Sequence, residues 1–245
     1  MHALANPARF NRLSSLIRPW AFRVMAGALA VGLYAALVTS PADYQQGDSV
    51  RIMYVHVPAA WMALFVYMVM AVASFAGLVW RHPLALLAGK AAAPVGAAFT
   101  FLALATGALW GKPMWGTYWV WDGRLTSMLI LFFLYLAYMA LWSALDDHDK
   151  AGRAAAILAL VGTVNIPVIK FSVDWWHTLH QPASVMRLDG PTIDGSMLWP
   201  LLIMALAFKA YFIWLFLGRL GLELDRRKLD VLRMNRLAAD RGRAQ

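Results

Sequence analysis

The chain has 245 residues, of which 61% are hydrophobic and only 14% are charged, a composition too apolar for a soluble domain of this length. It contains no cysteine, which excludes disulfides, thiolate metal sites, cysteine nucleophiles and thioether attachment of a cofactor. The formal net charge of +9 does not indicate a nucleic-acid partner, because the basic residues lie at the two ends and in short connections between apolar segments, as in membrane proteins.

Six apolar segments are long enough to cross a bilayer, which takes roughly 20 residues. The first exceeds the usual length of a signal-peptide core and lacks a good cleavage site, so an uncleaved helix is expected. The fifth is the least regular, with Pro167 and Lys170 near its end. The sequence thus predicts an all-α integral membrane protein, one domain (1–245) built as a bundle of six transmembrane helices at roughly 22–41, 58–80, 91–110, 125–145, 154–173 and 196–218.

The distribution of Lys and Arg predicts the orientation of this bundle. Sixteen of them lie at the termini and in the even-numbered connections, and five lie in the odd-numbered connections. The positive-inside rule therefore places both termini in the cytoplasm (N-in/C-in). The tail (219–245) carries Leu220 and Leu224 at helical spacing among many Arg, which predicts an amphipathic helix on the cytoplasmic surface that contacts membrane lipid or a partner protein.

A tryptophan-rich stretch, residues 110–126, joins the third and fourth spans and reads W-G-K-P-M-W-G-T-Y-W-V-W-D-G-R-L-T. Its glycines and its proline disfavour a long regular element, so an ordered extracytoplasmic loop is predicted. One or two rings per helix end suffice for an interfacial aromatic belt. This stretch has four tryptophans and a tyrosine, which favours a binding surface for a flat, apolar, anionic molecule. The tryptophans that would form it are Trp110, Trp115, Trp119 and Trp121.

Three histidines accompany this loop on the predicted outer face: His56, His177 and His180. Two neutral imidazoles that face each other can ligate a haem iron axially, with the porphyrin stacked on indoles. A small zinc site formed by all three is an alternative. Four cations suited to haem propionates are also predicted on the outer face: Arg51, Lys112, Arg124 and Arg187. Asp122 is expected to orient Arg124 or an indole N–H.

Two other functions remain open at this point. A cytochrome b-like haem anchor of a membrane oxidoreductase usually has its histidines deeper inside the spans. A secondary transporter for another organic anion usually has intramembrane carboxylates, and none is central in these spans. No catalytic constellation is recognisable, so the chain is not expected to be an enzyme.

The tryptophan-rich stretch resembles the WWD signature of the haem-handling membrane proteins of cytochrome c maturation. With His56-Val57-Pro58-Ala59-Ala60-Trp61 and Trp175-Trp176-His177-Thr178-Leu179-His180-Gln181, the chain is similar to the six-span haem exporter protein C (CcmC) family.

The resemblance implies that His56 and His180 are the axial ligands of haem b, bound non-covalently under the tryptophan loop. His177, Trp175 and Trp176 lie in the same motif without an assigned role. The implied location is the bacterial inner membrane, with the haem site on the periplasmic side. The implied partners are a periplasmic haem chaperone (CcmE), the ABC transporter subunits CcmA and CcmB, and a small single-span subunit (CcmD).

Overall fold

The computed structural model describes residues 6–182 and 184–243, and within these ranges the chain is almost entirely helical and has no β-strand. A π-helical turn, Ala35–Thr39, extends the first helix, and a 3-10 turn, Asp48–Ile52, leads into the second. The α-helices of the described residues are, in chain order, α1 Pro7–Tyr34, α2 Met53–Val79, α3 Pro83–Trp115, α4 Gly123–Ala144, α5 His148–Gly162, α6 Asn165–Trp175 and α7 Gly195–Arg243.

Six helical stretches in the described part of the chain are long and apolar enough to cross a membrane. This confirms the prediction of an all-α membrane protein with six spans. Many large apolar side chains on their outer surfaces are exposed, as expected for side chains that face lipid. The stretches are Pro7–Thr39, Asp48–Val79, Leu84–Trp115, Gly123–Ala144, His148–Trp175 and Gly195–Arg236.

Small residues allow the central helices to approach closely. Along α3, Ala91, Ala92 and Ala93 are fully buried. A Cβ atom at Gly96 would overlap the ring of Tyr135 from α4, so glycine makes room for that ring. The Tyr135 hydroxyl donates a hydrogen bond of 2.8 Å to a backbone carbonyl of α2. Without a hydrophobic driving force between helices in lipid, such close packing and hydrogen bonding hold the bundle together.

The predicted loop at 110–126 is shorter in the structure, where only residues 116–122 lie outside helices. Helix α3 continues through Gly111 and Pro113 to Trp115, since a proline in the last turn removes only one hydrogen bond. Gly116 then ends the helix in the left-handed conformation (φ 75°), and its N–H donates to the Lys112 carbonyl. Helix α4 begins at Gly123, two residues before the predicted start of the fourth span at residue 125.

The fifth predicted span is not one continuous helix but two, α5 and α6, with a turn at residues 163–164. Pro167 explains this break. Its missing N–H leaves the Thr163 carbonyl without the usual helical donor, and its ring clashes with that carbonyl in a straight helix. The N–H of Ile166 donates to the Thr163 carbonyl instead, at 3.0 Å.

The predicted surface helix of the tail is in fact the continuation of α7, which runs unbroken from Gly195 to Arg243. Leu220 and Leu224 are buried against Leu87 and Ala91 of α3, so the first part of the tail packs on the bundle rather than lying apart from it. Residues 244 and 245, the end of the predicted tail, lie outside the described residues.

Candidate functional site

His56 lies in the first turns of α2 and is half-buried against α3. Its Nδ1 is 3.0 Å from the carbonyl oxygen of Ala103 and 3.2 Å from Oγ1 of Thr106. A carbonyl can only accept, and the Thr106 hydroxyl already donates to the Leu102 carbonyl, so Nδ1 must carry the proton. The neutral ring therefore has its lone pair on Nε2, the atom left for a ligand.

Gly107 provides the space for this ring. A Cβ atom at position 107 would lie 2.9 Å from Cε1 of His56, closer than non-bonded carbon atoms approach. Glycine in the middle of a helix is otherwise unfavourable by about 1 kcal/mol relative to alanine. The close approach of the imidazole gives a physical reason for glycine here.

His180 lies in the non-helical segment that follows α6. Its Nδ1 is 3.0 Å from the Gln181 carbonyl oxygen, so this ring also has a free Nε2. Its backbone N–H donates to Oγ1 of Thr178 at 3.1 Å. Burial, followed by the nearby positive charge of Arg124, lowers the pKa of His180 below its ordinary value, which keeps the imidazole neutral at pH 7.

The structure brings His56 and His180 together. Their ring centroids are 6.4 Å apart and the ring planes are inclined by 36°. Two metal–nitrogen bonds of about 2.0 Å on opposite sides of one ion place two imidazole centres about 6.3 Å apart. Each Nδ1 donates to a backbone carbonyl, the second partner that metal-ligating histidines usually have. The pair thus has the centroid spacing and the tautomers of two imidazoles that ligate one metal ion.

Two of the four tryptophans in the 110–126 stretch contact this pair. The Trp110 ring meets His56 edge-on at 5.6 Å, and its Nε1 donates to Oε1 of Gln46 at 2.9 Å. The Trp115 ring lies 6.3 Å from His180. Both residues belong to the last turns of α3, which is why the extension of this helix matters for the site.

The other two tryptophans lie in the loop and contact each other, with ring centroids 5.3 Å apart. Trp121 is 74% exposed. The Trp119 N–H is buried and has no hydrogen-bond partner in the described part of the chain, a donor that a bound acceptor would satisfy.

Asp122 connects the tryptophan loop to the segment of His180. One carboxylate oxygen accepts from the N–H of Leu125 at 2.7 Å and caps α4, while the other accepts from the hydroxyl of Thr178. Within the described residues no hydrogen bond joins Asp122 to Arg124 or to an indole N–H, so its predicted role in orienting one of them is not seen as a direct contact. Its role in the structure is to fix two loops relative to each other.

The four cations predicted to suit haem propionates differ in whether a carboxylate already forms an ion pair with them. Arg51 and Arg187 form ion pairs with Asp48 and Asp189, respectively. Arg124 donates to Oγ of Ser172 and to the Lys170 carbonyl, each at 3.2 Å, and forms no ion pair within the described residues. Neutral oxygen atoms are therefore its hydrogen-bond partners, in contrast to Arg51 and Arg187.

Lys112 likewise has no ion pair there. Its ammonium is 2.9 Å from the Gly116 carbonyl oxygen and lies over the Tyr118 ring.

The remaining motif residues are outside the pair. His177 is exposed. Trp175 stacks on Phe171. Trp176 packs on Gly123, where an added Cβ atom would lie 3.0 Å from the Trp176 ring.

Within residues 6–182 and 184–243, no three His, Asp or Glu side chains come together to hold a metal ion, which removes the zinc alternative.

Several residues of the site were not identified from the sequence: Gln46, the Ala103 carbonyl, Thr106, Gly107 and Thr178. Only Gly107 carried a signal, as a glycine inside an otherwise helical apolar segment.

Comparison with known proteins gives consistent matches along the chain. A family model described as "Heme exporter protein C" matches residues 1–235. A protein of that name from Bradyrhizobium diazoefficiens is 59% identical over 231 residues, which is 94% of this chain and 88% of the relative. Those from Haemophilus influenzae and Paracoccus denitrificans are 50% and 45% identical, covering 91% and 93% of this chain and 91% and 95% of their own.

Proposed function

Because this chain belongs to the haem exporter protein C family, we propose that it serves in haem export for cytochrome c biogenesis, by binding haem b non-covalently between His56 and His180. The observation that carries the proposal is the 6.4 Å separation of the two rings, with Nε2 free on both. The family is described as one of exporters, and we assign no catalytic reaction to this chain.

The surroundings of the pair suit a porphyrin. Trp110 and Trp115 offer apolar ring surface beside the imidazoles, and Trp119 and Trp121 extend it. Arg124 contacts a propionate, because its guanidinium forms no ion pair in the described chain, and Lys112 adds a second cation without an ion pair. Ligation through nitrogen is reversible, as release of the haem requires, and the chain has no cysteine for covalent attachment.

The site faces the periplasm of a bacterial inner membrane in this proposal, with both termini in the cytoplasm. The excess of Lys and Arg at the opposite end of the bundle supports that orientation. The bound haem passes to a periplasmic haem chaperone (CcmE). The chain works with the ABC transporter subunits CcmA and CcmB and the small subunit CcmD.

The first test is the absorption spectrum of the detergent-purified protein after titration with haem. We expect a Soret band with the features of two nitrogen ligands. His56→Ala and His180→Ala should each weaken haem binding by at least about tenfold, and added imidazole should partly restore the band. The matched control is His177→Ala, which changes an exposed histidine three residues from His180.

An equal loss in His177→Ala, or an unchanged band in both ligand variants, would contradict the assignment. Delivery is tested separately, by mixing the loaded protein with the purified chaperone and following the spectrum of each after separation. Transfer that is lost in the His180→Ala variant supports the proposed route. Haem that stays on the chain in the presence of the chaperone argues against it.

A further inference from the structure

A cavity of about 920 Å³ lies at the end of the bundle opposite the histidine pair, about 30 Å along α2 from His56. Three parts of the chain line it: the facing ends of α2 and α3 with Arg81 between them, the facing ends of α4 and α5, and α7 beyond its apolar stretch. The ion pairs Lys90–Glu223 (2.8 Å) and Arg227–Asp149 (3.3 Å) tie α7 to α3 and to α5. The cavity is therefore bounded by elements that are fixed to one another.

Positive charge dominates the lining, with six Lys and Arg against three Asp and Glu. Each of the three carboxylates already forms an ion pair. Glu223 pairs with Lys90 and Arg226. Asp149 pairs with Arg227, and Asp230 pairs with Arg233. Two guanidinium groups remain: Arg81 and Arg153 form no ion pair within residues 6–182 and 184–243. They reach the cavity from two different elements, the turn after α2 and the first turns of α5.

The backbone of Arg81 is strained. Its φ of 48° is left-handed, and Arg81 is the only described residue other than glycine with positive φ. This conformation is unfavourable for a residue with a Cβ atom, and glycine would adopt it freely. The backbone conformation gives no reason for arginine at this position, which points to a use for its side chain.

The cavity also has an apolar side. Leu78, Leu87 and Trp142 contribute to the lining, and the Lys90 ammonium lies 5.0 Å from the centre of the Trp142 ring. Val79 and Trp80, next to the cavity at the end of α2, are 54% and 56% exposed. A ligand that fits both sides has an anionic head and an apolar body.

We propose that this cavity binds the phosphate headgroup of an anionic membrane lipid. Arg81 and Arg153 contact the phosphate, and an acyl chain lies along Val79 and Trp80 on the outside of α2. Basic recesses between helices at a membrane surface suit such headgroups, and arginine matches phosphate geometry with two parallel hydrogen bonds. A soluble phosphate would use the cations but not the neighbouring apolar surface.

The test uses the full-length protein in detergent, titrated with fluorescently labelled phosphatidylglycerol. We expect the double variant Arg81→Gln/Arg153→Gln to bind this lipid roughly thirtyfold more weakly, from about 1 kcal/mol per cation at a membrane surface. The matched control is Arg12→Gln/Arg236→Gln, which removes the same charge from exposed residues outside the cavity. Less than a threefold change is expected there.

Arg81→Gly distinguishes binding from folding, because it relieves the strained backbone while removing the cation. We expect a thermal midpoint equal to or above that of the parent, together with roughly fivefold weaker lipid binding. Phosphatidylglycerol binding that is unchanged in the double variant overturns the proposal. So does equal affinity for phosphatidylcholine, or for inorganic phosphate, which would indicate a site for a soluble anion.

Discussion

At the scale of single residues, the position of the His56 ring depends on three groups of α3. The Ala103 carbonyl and the Thr106 hydroxyl fix the tautomer, and Gly107 leaves the space that the ring fills. Partners of this kind typically change metal affinity by about 10–100-fold when they are lost. The site therefore depends on α3 as much as on the histidines themselves.

Gly107→Ala should displace the His56 ring, because the new Cβ would lie 2.9 Å from Cε1. We expect about tenfold weaker haem binding, with helix content unchanged or slightly higher, since alanine favours helix over glycine. Spectroscopic haem titration and circular dichroism measure the two effects. Gly27→Ala is the matched control, since a Cβ there meets nothing within 4 Å. Equal haem affinity in both variants would show that the close approach is not needed.

At the scale of elements, the ends of the helices decide which residues reach the site. Gly116 ends α3 one residue after Trp115, and Asp122 caps α4 while holding Thr178 of the His180 segment. Pro167 breaks the fifth span into α5 and α6, so the residues before His180 belong to a short separate helix. Caps and breaks thus set the relative placement of the two ligand-bearing segments.

Asp147 caps α5, where its carboxylate accepts from the N–H groups of Lys150 and Asp149. These hydrogen bonds, that of Lys150 first, lower the pKa of Asp147 below its ordinary value of about 3.9. A folded-state pKa below the unfolded one stabilises the fold above the unfolded pKa. That stability is lost as the pH falls through the folded pKa.

We therefore expect Asp147→Ala to lower the thermal midpoint at pH 7, and Asp147→Asn to lower it less, because an amide oxygen still caps the helix. The difference between Asp147→Asn and the parent should shrink as the pH falls below the unfolded-state pKa and disappear below the folded-state pKa, as measured by thermal unfolding across pH. Asp146→Asn serves as the neighbouring control, because no hydrogen bond involves its side chain in the described chain. A difference that persists at low pH would contradict the capping explanation.

At the scale of the whole molecule, the bundle has two differently built ends joined by a tightly packed middle. One end holds the neutral imidazole pair and the indoles, and the other holds the basic cavity. Between them, Tyr135 fills the space above Gly96 and hydrogen-bonds to α2. Such packing holds α2, α3 and α4 together, and with them the position of His56 against α3.

Gly96→Ala should destabilise the whole bundle, because the added Cβ overlaps a ring that is fully buried. We expect the free energy of unfolding to fall by about 1–3 kcal/mol, the usual cost of overpacking. Tyr135→Leu in the same chain removes the overlap, so the double variant should lose less than the sum of the two single losses. Denaturant unfolding in detergent measures all four proteins. Strictly additive losses would mean that the two residues do not interact.

The sequence by itself determined the six spans and the residues available to the site. Apolar runs of about 20 residues are a local property of the chain, since every backbone polar group in a bilayer must be satisfied within the helix. The histidines, tryptophans and Arg124 could be selected because their chemistry is visible in their residue types.

Only the tertiary structure decided how these residues meet. His56 and His180 come from segments far apart in the chain, and the packing of the helices together with the Asp122–Thr178 contact between loops brings their rings to 6.4 Å. The Ala103 carbonyl is a backbone group that its residue type does not reveal, and Gln46 reaches Trp110 from a separate loop. Local patterns act over about one helical turn, whereas these contacts depend on the relative placement of whole helices.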